Sequence, residues 1–259
     1  MQVTGNTILI TGGGSGIGRA LAEAFHRRGN QVIIAGRRED TLRQVAQANP
    51  GMKTAQLDLR DPNGIERFAA RMAEEYPQLN AVLNNAGIMQ MEDWAADAVD
   101  LSTAEATVAT NLLAPMRLTA ALLPQLKRQP QSTVLTVSSG LAFLTLAHTP
   151  TYSATKAAIH AFSDALRYQL RHTSVDVIEI VPPYVATELM GEQQANDPNA
   201  MPLVEFIDEV MSILETQPNA REVLVKRVHP LRFAAEQGYE QYMEQFHTFN
   251  DRFGAGHLG

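Results

Sequence analysis

The stretch Thr11-Gly12-Gly13-Gly14-Ser15-Gly16-Ile17-Gly18 constrains this chain more than any other. It follows a short β-branched run, Thr7 to Ile10, and opens a helical pattern on Ala20, Leu21, Ala24 and Phe25 that ends near Gly29. A second apolar run, Val32 to Ala35, comes directly after. Strand, glycine turn, helix and strand with short connections make a βαβ unit. A glycine-rich turn at that place lets backbone approach a pyrophosphate, and the helix start offers unpaired N–H groups and its positive dipole end. Gly12, Gly16 and Gly18 are spaced G-x3-G-x-G, a departure from the commoner G-x-G-x-x-G that serves the same physics; Gly14, Ser15 and Ile17 complete the predicted cradle. A bound dinucleotide is the expectation, and a tight strand-to-helix turn without a ligand is the plainer alternative.

The alternation continues along the chain. Strands are predicted near 53–57, 81–83, 133–137 and 176–181, and helices near 40–48, 63–76, 102–128 and 152–172. The strands read as near-continuous apolar runs, which indicates an α/β fold with a parallel sheet covered on both faces. Beyond them the pattern predicts a helix within 198–217, a late strand at 222–225 and a final helix over 230–249. There is no repeat, linker or internal boundary, so residues 1–259 are read as a single domain. A net charge of −7 argues against a nucleic-acid or anionic-membrane partner. With Cys 0, a disulfide, a thiolate metal site and a cysteine nucleophile are excluded, and no metal is expected. No leader pattern opens the chain and no apolar run approaches membrane-spanning length, so a cytoplasmic location is expected.

The second strand decides the cofactor. A fold that prefers NAD places an acid at its end to bond the ribose 2′-hydroxyl. Here the strand ends Ala35-Gly36-Arg37-Arg38, and two guanidiniums suit a 2′-phosphate. NADP(H) is therefore preferred, with NAD(H) possible. Asp58, followed by Leu59, suits the adenine amino group, although an Asp at a strand end also forms turns.

Tyr152 and Lys156 stand four apart, so on a helix they share a face. A free phenol titrates near ~10, and a nearby ammonium lowers that value and makes the Tyr a usable acid or base. By spacing alone the pair is more often an ordinary amphipathic surface turn.

Taken with Asn84-Asn85-Ala86-Gly87, the glycine loop and the Tyr152–Lys156 pair resemble the short-chain dehydrogenase/reductase family over about residues 5–190. The resemblance implies a Rossmann-type, doubly wound, seven-stranded parallel sheet and hydride transfer between nicotinamide and a carbonyl or secondary alcohol. It implies a small-molecule substrate and a homodimer or homotetramer; the apolar residues around the tyrosine suggest a hydrophobic ketone, aldehyde or 3-oxoacyl compound, with core packing as their plainer role. By the same resemblance the catalytic group is Asn111, Ser139, Tyr152 and Lys156, with Ser139, rather than Ser138, lying thirteen positions before the tyrosine. Asn85, Ala86 and Gly87 line the cofactor, as do Tyr152 and Lys156 themselves, and Pro182, Val185 and Thr187 hold the nicotinamide amide. The family shows P-G-x-x-x-T where this chain has Pro182-Pro183-Tyr184-Val185-Ala186-Thr187, so a proline replaces the glycine and removes an N–H. The paired prolines resemble a branch related to oxidoreductases of the D-alanine–lipoteichoic acid operon. Leu141, His148, Tyr184 and Met190 are the predicted substrate contacts, with Met89, Met91 and Trp94 as further wall residues. Residues 188–218 are read as a lid and helix. A non-catalytic NADP(H)-binding redox sensor is the competing function. Such proteins typically lose the Tyr or the Lys, and this chain keeps both.

Overall fold

The computed structural model describes residues 1–254. Residues 255–259, which the single-domain reading includes, lie outside the described residues. The chain alternates β1 (Thr7–Thr11), α1 (Gly16–Arg27), β2 (Gln31–Gly36), α2 (Glu39–Ala48), β3 (Lys53–Gln56), α3 (Pro62–Glu75) and β4 (Ala81–Asn84). Next come α4 (Ser102–Val108) and α5 (Ala114–Leu126), joined by a π-helical turn over Ala109–Leu113, then β5 (Ser132–Val137), α6 (Pro150–Leu170) and β6 (Val175–Val181). The rest is α7 (Glu192–Ala195), α8 (Leu203–Thr216), β7 (Glu222–Leu224), α9 (His229–Arg232) and α10 (Tyr239–Gly254).

The seven strands form one parallel sheet in the order β3-β2-β1-β4-β5-β6-β7, the doubly wound architecture expected. Successive side chains of a strand point to opposite faces, so β1 feeds two cores. Ile8 and Ile10 join Leu21 and Phe25 of α1 and Phe206 and Val210 of α8 on one face. Leu9 joins Ile65 and Phe68 of α3 and Leu118 and Leu122 of α5 on the other. Each such side chain contributes roughly 1.5–3 kcal/mol of burial, which is why the strands are apolar throughout. The winding reverses between β1 and β4, and a doubly wound sheet binds ligands in the crevice at that switch point, beyond the carboxyl ends of its strands.

Three expectations are corrected. The segment predicted as one helix over 102–128 is broken by the π-helical turn around Asn111. Pro115 has no N–H, so a regular helix could not supply the donor due to the Asn111 carbonyl, and the turn loosens there. By length and composition, Ser102–Leu126 is also long and apolar enough to cross a membrane, with a mean hydropathy of 1.2 in its most apolar window. Its packing against α3 and α6 and the burial of Leu118, Leu122 and Leu126 assign that apolarity to the cover of the sheet. The helix predicted over 230–249 is instead α9, a 3-10 turn over Ala234–Gln237 and α10. Gly238 separates them at φ 99, a conformation a helix cannot contain.

Candidate active site

The glycine loop is compressed against its neighbours. Gly12 and Gly16 lie in the left-handed region at φ 69 and 52. A β-carbon on Gly18 would meet Asn85 Nδ2 at 2.3 Å and the Gly12 carbonyl at 2.4 Å, and one on Gly13 would meet Ile34 Cγ2 at 2.5 Å. Only glycine fits at either place. Thr11 ties this loop to the end of β4: its Oγ1 accepts from the N–H groups of Asn85 and Ala86, each at 3.1 Å. Asn85 Nδ2 returns a bond to the Thr11 carbonyl at 3.0 Å. At the start of α1, Ser15 makes no capping bond and no acid occupies the first turn. The leading N–H groups and the positive dipole end are therefore left for an anion, and the cradle fits a pyrophosphate.

Arg37 and Arg38 are exposed beyond β2, and neither makes an ion pair among the described residues. Asp58 lies beyond β3, where its carboxylate accepts from Arg60 N at 2.9 Å and from the Arg60 guanidinium at 3.4 Å. The Arg60 backbone bond lowers its pKa, the turn-forming behaviour weighed above. Leu59 packs partly buried against the α3 side of the core.

Helix α6 carries the tyrosine and lysine, and its entry is fixed from outside. Thr149, before Pro150, gives no side-chain cap. Glu92 supplies one, accepting from Thr151 N at 3.0 Å and from Thr151 Oγ1 at 2.7 Å. Tyr152 and Lys156 are both buried, with Lys156 Nζ 5.4 Å from the phenol ring centre. Nζ donates to the Val137 carbonyl at 2.8 Å. Ser139 is extended, and its Oγ accepts from Leu141 N at 3.1 Å, which leaves the hydroxyl proton to point elsewhere. Asn111 is buried on the π-helical turn, where its side chain accepts from Ile88 N at 2.9 Å and donates to Ile88 O at 2.8 Å. A β-carbon on Gly87 would stand 3.3 Å from Asn111 Oδ1 and 3.8 Å from Lys156 Nζ, so the four predicted catalytic residues and the Asn85–Gly87 turn converge.

The electrostatics revise one expectation. Burial pushes the Tyr152 phenol up to about 12, against the lowering effect of the Ser139 hydroxyl. Burial also pushes Lys156 down to about 8, against the raising effect of Glu179. Without a further positive charge, desolvation outweighs the help that Lys156 was expected to give the phenolate.

Beside this group opens a cleft lined by Ser139, Leu141, His148, Tyr152, Pro182, Tyr184 and Met190, together with Met89 and Met91. Trp94 is exposed elsewhere and bonds Glu92, so it is not a wall residue. Val185 is buried, and Thr187 packs over Gly16, its Cβ 3.7 Å from where a β-carbon there would stand. Gln194 of α7 latches this loop, donating to Val185 O at 2.9 Å and Thr187 Oγ1 at 3.3 Å while accepting from Met190 N at 3.0 Å.

The far wall was invisible to sequence reasoning. Phe249 and Phe253 of α10 and Leu231 of α9 complete the cleft. Asn250 fastens α10 to the segment between Ser139 and Tyr152, accepting from Ala147 N at 2.6 Å and donating to Thr145 O at 3.0 Å. A period of 3.6 residues announces such a helix but not where it docks. Thr11, Glu92 and Gln194 were missed for a similar reason, since each acts through side-chain hydrogen bonds that sequence periodicity does not report.

Comparison with known proteins gives the family and the fold. The family model for short chain dehydrogenases matches residues 6–198. DltE of Bacillus subtilis (strain 168), an uncharacterized oxidoreductase, is 40% identical over 251 residues, covering 96% of this chain and 99% of its own length. That relative matches the branch anticipated from Pro182-Pro183. Among solved structures, a short chain dehydrogenase from Burkholderia cenocepacia J2315 in complex with NADP superposes with a TM-score of 0.82 at 24% identity, over 95% of this chain and 99% of that one. Another from Burkholderia phymatum, in complex with NAD, gives 0.79 at 17% identity over 95% and 96%. At those identities the likeness is one of fold. With the family match spanning the glycine loop, the Asn84–Gly87 turn and the Tyr152–Lys156 pair, the chain belongs to the short-chain dehydrogenase/reductase family and is one of its oxidoreductases.

Proposed function

We propose that the chain is an NADP(H)-dependent carbonyl reductase, reversible as an alcohol dehydrogenase, for uncharged hydrophobic ketones, aldehydes or 3-oxoacyl compounds. The observation that carries this reading is the cleft. Ser139 and Tyr152 present hydroxyls into a wall of Met, Leu, Pro and Phe side chains, and no Asp, Glu, Lys or Arg lines it among the described residues. A charged substrate would find no partner there.

In this reading Gly12, Gly14, Ser15, Gly16, Ile17 and Gly18 cradle the pyrophosphate, and the unpaired Arg37 and Arg38 bind a 2′-phosphate. Asp58 and Leu59 border the adenine, Asn85, Ala86 and Gly87 line the middle, and Pro182, Val185 and Thr187 hold the nicotinamide end. When bound, the dinucleotide supplies the hydride to the carbonyl carbon. Ser139, its oxygen engaged by Leu141 N, donates its proton as a hydrogen bond to the carbonyl oxygen and stabilises the charge developing there. Tyr152, protonated at neutral pH as any phenol is and kept so by burial, delivers the proton to that oxygen and completes the alcohol. Lys156 stabilises the resulting phenolate and holds the ribose hydroxyls. Asn111 fixes the Ile88 backbone beside them and orders the solvent end of the relay. The whole chain acts as one cytoplasmic domain, with the Gln194-latched loop as substrate lid. Exposed Leu113 and Tyr168 on the α5 and α6 side support a homodimer or homotetramer.

Oxidation of NADPH and of NADH against aryl ketones, aromatic aldehydes and 3-oxoacyl thioesters tests this. Turnover with NADPH on at least one class is expected. Tight NADPH binding with no turnover on any would favour the redox-sensor function instead.

A further inference from the structure

Glu179 stands in the middle of β6 with 0% of its surface exposed. A carboxylate inside a strand covered on both faces is strongly disfavoured unless it is paired. Its Oε2 lies 2.8 Å from His160 Nδ1. Its Oε1 has no hydrogen-bond partner among the described residues. Neither core packing nor the mechanism above calls for an acid in the otherwise apolar end of this strand.

Its position gives it a use. His160 follows Lys156 by one turn of α6, so both face the same way. Ser163, further along that face, sits on Thr136 with their hydroxyl oxygens 2.8 Å apart. Thr136 is the register partner of Glu179, and the next residue, Val137, provides the carbonyl that holds Lys156 Nζ. The residue whose carbonyl anchors the ammonium and the residue that carries the carboxylate are thus one strand and one position apart, backbone positions separated by about 6 Å in ordinary sheet spacing. The other charges facing Glu179 are already matched. Glu222, its partner on β7, is bonded at both oxygens by Arg232 of α9, at 2.7 and 2.9 Å. Carboxylate and imidazole ligand atoms of His160, Glu179 and Glu222 lie within 4.8 Å of one another, and the Arg232 guanidinium supplies the cation there. Asp164 faces the other His160 nitrogen at 3.8 Å and is itself bonded to Arg167. The Glu179 carboxylate accepts a hydrogen bond from His160, and its charge acts on Lys156 and also on Arg232, which is already held by Glu222.

We propose that Glu179 and His160 are a positioning pair for Lys156, a buried anion and the imidazole that pins it, which together keep the lysine an ammonium beneath Tyr152. This rests on the reading of Lys156 as a member of the proton-handling site. It accords with Glu179 opposing the burial-driven fall of the Lys156 pKa. His160 gains from the same carboxylate, which raises its own pKa.

The test needs neither substrate nor dinucleotide. The chain has only the lysines Lys53, Lys127, Lys156 and Lys226, so 13C-labelled lysine gives a spectrum in which the buried side chain is identified by its loss in Lys156→Arg. The wild-type Lys156 signal should titrate near the expected value of about 8. Glu179→Gln, isosteric but uncharged, should lower that midpoint by about one pH unit or more, a ten-fold change in the protonation constant. Glu179→Asp should lower it less. His160→Leu, which frees Oε2, should lower it more than His160→Gln, which keeps a donor. A purely structural role would change unfolding midpoints and leave the titration alone. An unchanged Lys156 midpoint in a folded Glu179→Gln protein overturns the proposal. If that variant does not fold, equal midpoints in the two His160 variants overturn it. Failure of the reductase reading would show separately, as NADPH binding by the wild type with no turnover on any carbonyl class, and failure of the proton-handling site as persistent turnover in Tyr152→Phe.

Discussion

Replacing Thr11 by Val probes how the fold assembles the site. The side chain is buried at the carboxyl end of β1, and valine preserves its shape while removing the oxygen. That oxygen is the acceptor for Asn85 N and Ala86 N, each at 3.1 Å. Asn85 N keeps a second acceptor, the Leu83 carbonyl at 3.1 Å, so its loss is partial. Ala86 N loses its acceptor outright. A fully buried donor left unpaired costs about 1–3 kcal/mol; Ala86 N is part-buried, so together with the weakened Asn85 bond the expected loss is about 2 kcal/mol. Against a total stability of roughly 5–15 kcal/mol this is a large share. With a urea dependence of about 2–3 kcal/mol per molar, the midpoint should fall by about 1 M at constant slope. Thr11→Ser keeps the oxygen and should restore most of the loss. NADPH affinity, read by nicotinamide fluorescence, should weaken in Thr11→Val and recover in Thr11→Ser. A valine variant with the wild-type urea midpoint would refute the assignment of Thr11 as the tie between β1 and β4.

Arg37→Glu with Arg38→Glu should weaken NADPH binding by 10- to 100-fold while changing NADH binding less than 3-fold, since about 1.5–3 kcal/mol attends a charge-assisted bond to phosphate; equal losses for both cofactors would contradict the 2′-phosphate role. Carbonyl reduction should fall as pH rises through about 8, where the Lys156 ammonium is lost in the folded chain, and Lys156→Arg should flatten that limb. The same shift has a stability consequence with a fixed sign. Between about 8 and the ordinary 10.5 the unfolded chain binds the lysine proton and the folded chain does not, so Lys156 makes stability rise with pH there, and Lys156→Met should abolish that rise in urea titrations. Phe249→Ala should raise KM for aryl ketones about 10-fold or more with kcat changed less, through lost contact with the apolar wall; an unchanged KM would remove α10 from the substrate site.

The parallel sheet was legible because burial on both faces leaves apolar runs such as Val32–Ala35 and Thr133–Val137, and glycine spacing marks where backbone must approach backbone. The candidate catalytic group could be named from resemblance because its motifs recur in chain order, Asn111 on the turn between α4 and α5, Ser139 after β5, and Tyr152 and Lys156 on α6. What could not be read depends on distant contacts. Nothing near Asn250 announces that it holds Thr145 and Ala147, and nothing near Glu92 announces that it caps α6. The π-helical turn at Asn111 left a trace, Pro115, that periodicity alone passes over. The direction of the Tyr152 shift depends on depth of burial, which a four-residue spacing does not report.

The central claim is that Tyr152 donates the proton in an NADPH-dependent reduction. Its most direct measurement is NADPH oxidation with an aryl ketone by wild type and Tyr152→Phe, alongside NADPH affinity for each. The account predicts a loss of turnover of at least 1,000-fold, within the range general acid catalysis supplies, with NADPH affinity held within a few-fold. Near-wild-type turnover in Tyr152→Phe would contradict it.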